Sequence, residues 1–340
     1  MKRSTILFLD NTYPHAYQQS TLKDKALGGT ESSVIKTAQI LSQKYYIYVA
    51  QKNRTDFHTE NDNLTYIPKK QINKIKPDYI IVLRKYPLLK ALKKKFPNAQ
   101  LYLWIHTYKN KEYAFKRIGL SKTKTTVICN SNTHALNTAY LLNQSFLGKL
   151  FSLFVKPTPV KYCYNPIDKP VRNNTNRDLN KLLFFSSPNK GLKEVVDLFF
   201  KINKVMPDLR LYIANPGYKN DALMVHNANI KIIGSLPHKK MMQEVKKSLC
   251  VFYPQNSFAE TFGLIYAEAN AYGTPVLACD IGSAKEILHK NNALIKANDH
   301  DEMIKTIKKW QNNFPEIDYN ENFSDKTILA TWQELFSQAH

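Results

Sequence analysis

The chain has 340 residues, of which 43% are hydrophobic and 22% charged, which is enough apolar sequence for two globular domains of about 150 residues each. No segment offers the roughly 18 uninterrupted apolar residues of a membrane span, and the four cysteines lack metal-site spacing, so we expect buried free thiols in a protein without membrane helices. The net charge is +22, and it is uneven: residues 1–165 hold 27 Lys/Arg against 8 Asp/Glu, whereas residues 166–340 hold 22 against 19.

Strand-like and helix-like segments alternate along the first half of the chain. Apolar runs predict strands at 5–10, 45–50, 64–67, 78–83, 101–107, 125–130 and 160–164, and amphipathic stretches predict helices at 31–42, 87–96 and 133–142. This alternation predicts a mostly parallel sheet. The first apolar run is too short for a signal peptide, so a cytoplasmic protein is expected.

A second series of the same kind follows. It predicts strands at 182–186, 209–214, 230–234, 250–253, 275–279 and 293–295, and helices at 192–205, 239–248, 263–272 and 283–288. Ser283 and Glu286 have the spacing of a capping box, and the polar segment 165–180 predicts a hinge. We therefore expect two Rossmann-like, doubly wound α/β domains at 1–165 and 166–310 that face each other across a cleft, and a helical segment at 311–340 that returns toward the first domain.

Two glutamates, Glu260 and Glu268, lie eight positions apart around a polar loop and a short Ala-rich helix. The loop passes through Phe262 and Gly263, so free backbone N–H groups and the positive end of the helix would point out of one sheet edge, where they suit a phosphate. The two carboxylates can accept hydrogen bonds from sugar hydroxyls there. The alternative is an exposed helix with two solvated glutamates.

Candidate ligand contacts in the first half are the paired glycines Gly28 and Gly29 and a single histidine, His106. The glycines precede a helix and allow a close approach of the backbone to a ligand, although an ordinary turn explains them equally well. They match neither G-x-G-x-x-G nor a Walker A loop, which disfavours a nicotinamide or P-loop nucleotide site. His106 ends a predicted strand, where it can bind a substrate hydroxyl or serve a structural role.

The first strand-helix turn of the second half contains Ser187 and Lys190, followed by Gly191. A lysine beside a glycine at such a turn can reach a diphosphate with help from the amides at the helix start. Later turns fall at the same predicted edge and can hold a nucleoside base; they include Asn215, Pro216, Gly217, Gly234, Leu236, Ser257 and Phe258.

In this order, the motifs resemble the family 4 retaining glycosyltransferases of GT-B fold. The matching elements are Gly28 to Glu31, His106, residues 165–168, Ser187 to Gly191, residues 234–237, and the Glu260/Glu268 pair followed by Gly-Thr-Pro-Val at 273–276. The two glutamates with the Gly-Thr-Pro-Val sequence form the most specific part of a resemblance that spans nearly the whole chain. It implies transfer of a sugar from a nucleoside-diphosphate sugar, with UDP the commonest base in the family.

The resemblance also implies roles for individual residues. Lys190 would bind the donor diphosphate, Glu268 the ribose, and Glu260 and His106 the sugar. The candidate catalytic residues are thus Glu260, His106 and Lys190. The candidate donor-binding residues are Gly28, Gly29, Ser187, Lys190, Asn215, Gly234, Leu236, Thr261, Phe262, Gly263, Leu264 and Glu268.

The chain departs from the family pattern just before Lys190. The family usually has an arginine there, whereas this chain has Phe185, Ser186 and Ser187. The diphosphate charge would then be met by Lys190, by backbone amides or by a basic residue from elsewhere. The resemblance implies attack by the acceptor on the face from which the phosphate leaves, without a carboxylate nucleophile. No clear Asp-x-Asp lies near a strand end, so neither a metal nor another cofactor is expected.

The basic excess of the first half would attract a polyanion, or it reflects a general use of lysine on the surface. Segment 141–156 is apolar with flanking lysines, so with Lys93 to Lys95 and the stretch 109–124 it can rest on an anionic bilayer and reach a lipid-linked or lipopolysaccharide acceptor. A core or interdomain helix is the other interpretation of this segment.

The function that we expect is extension of a surface glycan by a nucleotide-sugar-dependent glycosyltransferase. The alternatives are a sugar-nucleotide epimerase of the same shape and a basic protein that binds polyanions without turnover. The lysines accompany no recognisable nucleic-acid motif. The expected partners are therefore a nucleotide-sugar donor, a glycan or glycolipid acceptor and an anionic membrane surface, and no nucleic acid.

Overall fold

The computed structural model describes residues 3–24, 27–170, 176–215 and 227–338, which divide into two compact units. The first unit comprises Met1–Gln19, Thr30–Pro166 and Asp325–His340, and the second comprises Ser20–Gly29 and Ile167–Ser324. Each unit is an α/β structure built on one sheet.

The first unit has an eight-stranded sheet in the order β3-β4-β2-β1-β5-β6-β7-β8. Its strands are β1 (Thr5–Asp10), β2 (Tyr46–Gln51), β3 (His58–Asn61), β4 (Leu64–Pro68), β5 (Tyr79–Leu83), β6 (Gln100–Trp104), β7 (Thr126–Cys129) and β8 (Val160–Tyr162). Among the described residues all neighbouring strands are parallel except β3, which pairs antiparallel with β4. The strand order reverses between β1 and β5, which is where ligands bind in doubly wound sheets.

The second unit has a six-stranded sheet in the order β11-β10-β9-β12-β13-β14, with parallel pairing throughout the described part. Its strands are β9 (Asp178–Phe184), β10 (Arg210–Ala214), β11 (Ile230–Gly234), β12 (Ser248–Tyr253), β13 (Val276–Ala278) and β14 (Ala293–Leu294). β12 is buried along its whole length, as expected of a central parallel strand whose two faces are covered by helices. Here the order reverses between β9 and β12.

Helices connect these strands. The α-helices are α1 (Gln19–Asp24), α2 (Gly29–Leu41), α3 (Leu88–Lys95), α4 (Arg117–Lys122), α5 (Asn132–Ala139), α6 (Phe146–Phe151), α7 (Leu192–Asn203), α8 (His238–Lys247), α9 (Leu264–Ala271), α10 (Ala284–Ile287), α11 (His300–Asn312) and α12 (Asp325–Ser337). Short 3-10 helices span Lys69–Lys74, Lys111–Lys116 and Glu321–Phe323, and a π-helix spans Tyr140–Gln144. No helix among the described residues is long and apolar enough to cross a membrane.

The last helix, α12, packs on the sheet of the first unit. The Phe336 ring stacks on Tyr79 with centroids 4.4 Å apart, and the Tyr102 hydroxyl donates a hydrogen bond to the Leu335 carbonyl over 3.0 Å. Trp332 is buried and meets the Trp104 ring edge-on. The C-terminal segment therefore completes the core of the first unit through aromatic contacts.

The end of the predicted hinge belongs to the second sheet, because β9 begins at Asp178. The Arg177 guanidinium donates to the carbonyls of Lys246, Ser248 and Gly273 over 2.7 to 3.1 Å. Burial lowers the pKa of Arg177 to about 10. Arg177 thereby ties the start of β9 to the ends of α8 and α9.

All four cysteines are free and buried, which confirms the prediction of buried thiols. Cys129 and Cys163 lie in the first unit, and Cys250 and Cys279 in the second. Burial raises the pKa of Cys129 to about 12 and that of Cys279 to about 11.

Candidate functional site

The second unit brings Lys190 and Glu260 together where its strand order reverses. Lys190 lies in the turn after β9 and Glu260 in the loop after β12, and the Lys190 Nζ lies 2.9 and 3.0 Å from the two carboxylate oxygens. The Glu260 side chain is 9% exposed and that of Lys190 is 26% exposed. A ligand at the carboxyl ends of these strands would therefore reach the ammonium more easily than the carboxylate.

Two aromatic residues surround this ion pair. The Tyr253 hydroxyl donates a hydrogen bond to Glu260 Oε1 over 3.2 Å, and the Lys190 Nζ lies 4.6 Å from the centroid of the Phe258 ring. Burial and then the Glu260 carboxylate raise the pKa of Tyr253 well above its usual value, so the phenol keeps its proton. Glu260 is thus held by both a cation and a hydroxyl.

The loop that follows Glu260 needs glycine at its last position. Gly263 immediately precedes α9 with φ +79°, and a Cβ there would lie 2.3 Å from the Tyr266 ring. Gly263 also accepts the Tyr266 N–H at its carbonyl over 2.9 Å. The backbone thereby turns from the loop into α9. The free N–H groups at the start of this helix would stabilise a negatively charged ligand.

Ser283 holds the same loop from the other side. The helix predicted to start here is confirmed as α10, but the Ser283 side chain does not form the predicted capping box. Its N–H donates to the Glu260 carbonyl over 3.0 Å and its hydroxyl donates to the Phe262 carbonyl over 2.8 Å. The hydroxyl makes no capping bond to α10, and the Ser283 backbone, at φ −90° and ψ 3°, lacks the extended conformation usual at a capping residue. The spacing of a serine and a glutamate in the sequence does not show this backbone conformation.

Ser187 lies beside Lys190 with its side chain directed into the protein. It is 2% exposed, and its hydroxyl has no hydrogen-bond partner among the described residues. Gly191, at φ +82°, then starts α7, and a Cβ there would lie 2.4 Å from Gln255 Cβ. The hydroxyl, the ammonium and the start of α7 are therefore close in the chain and can serve one anion.

Glu268 contacts a histidine that the sequence pattern did not connect with it. His238 Nε2, at the start of α8, lies 2.8 Å from Glu268 Oε1. The Glu268 side chain is mostly buried and the His238 side chain is about one third exposed. The carboxylate accepts a hydrogen bond here, and it could accept one from a ribose hydroxyl in the same way.

The predicted base-binding turns lie at the ends of β10 and β11. The Asn215 N–H donates to the Gly234 carbonyl over 3.0 Å, so these two turns are joined. Gly234 has φ +70°, and Asn215 and Leu236 are half-buried. Pro216 and Gly217 lie outside the described residues.

Gly28 and Gly29 group with the second unit although α2 belongs mainly to the first. A Cβ at Gly29 would lie 2.8 Å from Leu264 Cδ1. Gly29 thus lies next to the first residue of α9, whereas Gly28 is half-buried before it. The neighbour of Gly29 in the structure is a leucine side chain, and the close approach of this glycine to a ligand stays a prediction.

The first unit gathers a buried ionic cluster where its own strand order reverses. Arg84, directly after β5, donates from Nη2 to Glu31 over 2.8 Å and to Asp10, the last residue of β1, over 3.4 Å. The Tyr17 hydroxyl also donates to Asp10. Arg84 has φ +62°, which is unusual for a residue with a side chain. Asp10 and Arg84 were missed from sequence; a charged residue at the end of each apolar run was the available signal.

His106 follows β6 in the same unit. Its Nδ1 lies 3.1 Å from Asn130 Nδ2, and its ring lies 4.6 Å from the Trp104 ring. Burial, followed by the positive charge of Arg84, holds the pKa of His106 well below its usual value. His106 is therefore a neutral imidazole at pH 7.

The segment around α6 exposes large apolar side chains. Phe146 is 83% exposed, and Leu153 and Phe154 are each 75% exposed. Leu136 and Tyr140, which precede this segment, are also exposed, and Lys149 lies in α6. Segment 141–156 is therefore not a core helix throughout, because its last turns display apolar residues on the outside of the first unit.

Residues 169–327 match the family model for glycosyl transferases group 1. This part, slightly less than half of the chain, is similar to the group 1 glycosyltransferases. The domain contains Ser187, Lys190, Glu260 and Glu268, so the resemblance that these residues suggested is confirmed at the level of the group. The finer assignment to family 4 stays a prediction.

Individual relatives agree with the group 1 domain. A phosphatidylinositol N-acetylglucosaminyltransferase polypeptide from Arabidopsis thaliana is 22% identical over 196 residues, which cover 53% of this chain and 43% of the relative, less than half of its length. Sucrose-phosphate synthase from Thermosynechococcus elongatus has a TM-score of 0.66 at 13% identity, with 99% of each chain covered. HepE from Anabaena, solved with UDP and glucose, also has a TM-score of 0.66, at 15% identity, with 99% of this chain and 100% of that chain covered. These structures show the fold and confirm the predicted α/β, GT-B class.

Within residues 169–327 the structure joins Lys190 to Glu260 and Glu268 to His238. Gly29, from outside this range, lies beside Leu264. Among the described residues, no group of three or more His, Cys, Asp or Glu side chains is arranged to hold a metal ion. Where the family usually has an arginine before Lys190, this chain has Phe185, Ser186 and Ser187, and the Ser187 side chain is buried.

Proposed function

We propose that the chain is a glycosyltransferase that moves a sugar from a nucleoside-diphosphate sugar to a glycan or lipid-linked acceptor. The observation that carries this proposal is the Lys190 ammonium at the carboxyl ends of β9 and β12, beside the buried Ser187 hydroxyl and the start of α7, in a group 1 glycosyltransferase domain. A cation, a hydroxyl donor and helix amides are complementary to a diphosphate.

In the proposed reaction, the bond between the anomeric carbon and the phosphate oxygen breaks while an acceptor oxygen bonds to the same carbon. Negative charge grows on the leaving diphosphate, and Lys190, Ser187 and the amides before α9 stabilise it. The acceptor proton passes to the leaving phosphate, and attack on the same face retains the configuration. Glu260 is not the nucleophile in this scheme, because Lys190 and Tyr253 already hold its carboxylate.

We propose UDP as the nucleotide, with Glu268 accepting hydrogen bonds from the ribose. HepE, a structural relative, was solved with UDP and glucose, and UDP is the commonest base in the family that the motifs resemble. Glu268 would exchange its His238 contact for ribose hydroxyls. Lys190 supplies the positive charge that a metal ion provides in other enzymes, so the reaction is proposed to need no metal and no other cofactor.

The acceptor is proposed to be a surface glycan precursor such as a lipopolysaccharide, reached at the cytoplasmic face of a membrane. The support is the exposed apolar surface of Phe146, Leu153 and Phe154 together with the basic excess of the first 165 residues. Apolar side chains can enter the headgroup region while lysines pair with anionic lipids.

The proposed function is tested with purified protein and a panel of UDP-, GDP- and ADP-sugars, with release of nucleoside diphosphate as the readout in the presence and absence of glycolipid acceptors. We expect release from one UDP-sugar, unchanged by EDTA. Formation of an epimerised sugar nucleotide, or no release from any donor, would contradict the proposal.

A further inference from the structure

Three residues at the ends of neighbouring strands form a hydrogen-bonded chain in the first unit. The Trp104 indole Nε1 lies 2.6 Å from Asn130 Oδ1, and Asn130 Nδ2 lies 3.1 Å from His106 Nδ1. Trp104 ends β6, His106 follows it, and Asn130 follows β7, which pairs with β6. Trp104 is fully buried, and Asn130 is 2% exposed.

The indole decides which way the Asn130 amide points. An indole N–H can only donate, so the atom of Asn130 that faces it must be the carbonyl oxygen. The reversed amide would place an NH₂ group against the indole N–H inside the protein, where two facing donors cost the free energy of a lost hydrogen bond. The NH₂ group of Asn130 must therefore face His106.

A second consequence concerns the proton of His106. Because Asn130 donates to Nδ1, that nitrogen must carry a lone pair, and the proton of the neutral ring must be on Nε2. We propose that Asn130 is a positioning residue, oriented by Trp104, that fixes His106 as the Nε2-protonated tautomer and so makes its Nε2–H a hydrogen-bond donor to a substrate oxygen. The tautomer follows from this unit alone, whereas the substrate contact rests on the proposed function.

The charges around His106 act in the same direction. Burial lowers its pKa most, and the positive charges of Arg84 and Lys109 and the nearby His134 lower it further. Protonation of Nδ1 would place an N–H group against the Asn130 NH₂ group. The chain of hydrogen bonds and the surrounding charges thus both favour the neutral ring.

His134 provides an internal control, because its ring is held without the Asn130 side chain. The backbone N–H of Asn130 lies 3.4 Å from His134 Nδ1, and His134 Nε2 lies 3.3 Å from the Thr107 carbonyl. A carbonyl only accepts, so His134 also carries its proton on Nε2. Changing the side chain at position 130 should leave this arrangement intact.

The tautomer is tested in the unmodified, ¹⁵N-histidine-labelled full-length protein by two-bond ¹H–¹⁵N correlation spectra, with His106→Gln used for assignment. We expect His106 to show a protonated Nε2 and an unprotonated Nδ1 at pH 7.5. A protonated Nδ1, in either the neutral or the charged ring, would overturn the proposal without reference to any substrate.

The Asn130→Asp variant keeps the shape of the side chain but reverses the direction of its hydrogen bond with His106. Either carboxylate oxygen can accept the indole N–H, and the other accepts from His106, so the ring should gain a proton on Nδ1 and its pKa should rise. The His134 ring should keep its proton on Nε2, because backbone groups hold it. A His106 spectrum identical to that of the unmodified protein would contradict the role of Asn130.

The substrate contact is tested by kinetics of the same variant. We expect kcat/KM of Asn130→Asp to fall about tenfold, with a new pH dependence near neutrality, and we expect no further loss when His106→Gln is added. Unchanged kcat/KM and pH profile would overturn the substrate contact. Absence of turnover in the unmodified protein would contradict the proposed function and the substrate contact together, and the spectra would still decide the tautomer.

Discussion

The Glu260 carboxylate receives both of the short contacts that Lys190 makes, at 2.9 and 3.0 Å, from a turn 70 residues earlier in the chain. The cation that is proposed to bind a diphosphate is therefore neutralised before any ligand arrives. Donor binding must then either release Lys190 from Glu260 or share it between a carboxylate and a phosphate.

The Glu260→Gln variant tests this competition directly. The amide keeps the shape of the side chain but removes the charge, so Lys190 gains net positive potential and we expect UDP to bind several-fold more tightly. Turnover should fall, because the amide cannot hold the sugar and Lys190 as the carboxylate does. Isothermal titration with UDP measures the first effect, and weaker UDP binding by the variant would contradict the competition.

Loss of the ammonium itself should slow the reaction. We expect Lys190→Ala to lower kcat/KM for the donor at least tenfold, or about 1.4 kcal/mol, because less charge faces the leaving diphosphate. The matched control is Lys193→Ala, since Lys193 lies three residues later, at the start of α7, and pairs with Asp197 at the surface. Equal kinetics in both variants would remove Lys190 from the site.

Glu268 is expected to recognise the ribose and not the phosphates. Glu268→Gln should weaken UDP binding about tenfold and leave inorganic pyrophosphate binding unchanged, because only the ribose has hydroxyls that donate to the carboxylate. Glu302→Gln, on the exposed face of α11, is the control. A parallel loss for both ligands would show that Glu268 acts on the phosphate region or on folding.

Membrane docking is expected to depend on the exposed residues after α6. Sedimentation with liposomes containing anionic lipid should capture the protein at low ionic strength and release it at high salt. The Leu153→Ser/Phe154→Ser double variant should lose most of this binding. Phe57→Ser, which removes an exposed phenylalanine elsewhere on the first unit, should retain it; no capture at low salt would refute docking.

Acid should destabilise the first unit through His134. Burial lowers the pKa of His134 to about 4, so the folded state resists a proton that the unfolded chain accepts near pH 6.5. The contribution of neutral His134 to the free energy of unfolding is fully present above pH 6.5 and is lost as the pH falls toward 4. The total loss is on the order of 3 kcal/mol. Urea unfolding at pH 7 and pH 5 should show a smaller loss for His134→Gln than for the unmodified protein; an equal loss would rule out His134.

Much of the fold could be predicted from local sequence. Apolar runs located β1 and the buried β12, because central strands of parallel sheets are continuous in hydrophobicity. An apolar run also located β11, although it lies at the edge of its sheet. The edge strand β3 was missed, since its sequence, His-Thr-Glu-Asn, is polar and its pairing with β4 depends on a neighbour that the pattern does not show. The helices α1 and α4 were also missed, because each spans only six residues and shows too little helical periodicity to be recognised.

The candidate site was predictable in its residue types but not in its pairings. The spacing of Glu260 and Glu268 could be found by inspection, whereas the contacts of these residues with Lys190 and His238 join different strand-helix turns. Arg84 and Asn130 were missed because each acquires its role from the strand beside it in the sheet. The local pattern of a single sequence does not show which strands lie side by side in the sheet, so these contacts could not be predicted.

Because the four thiols are buried, their reaction with an alkylating reagent can report local unfolding of each unit. Thiolates are the species that alkylating reagents attack, and burial suppresses them here, so modification should proceed only from transiently opened molecules. Because two cysteines lie in each unit, peptide mapping of alkylated protein can time the opening of the two units separately. Addition of UDP should then slow labelling of Cys250 and Cys279 if the nucleotide binds the second unit.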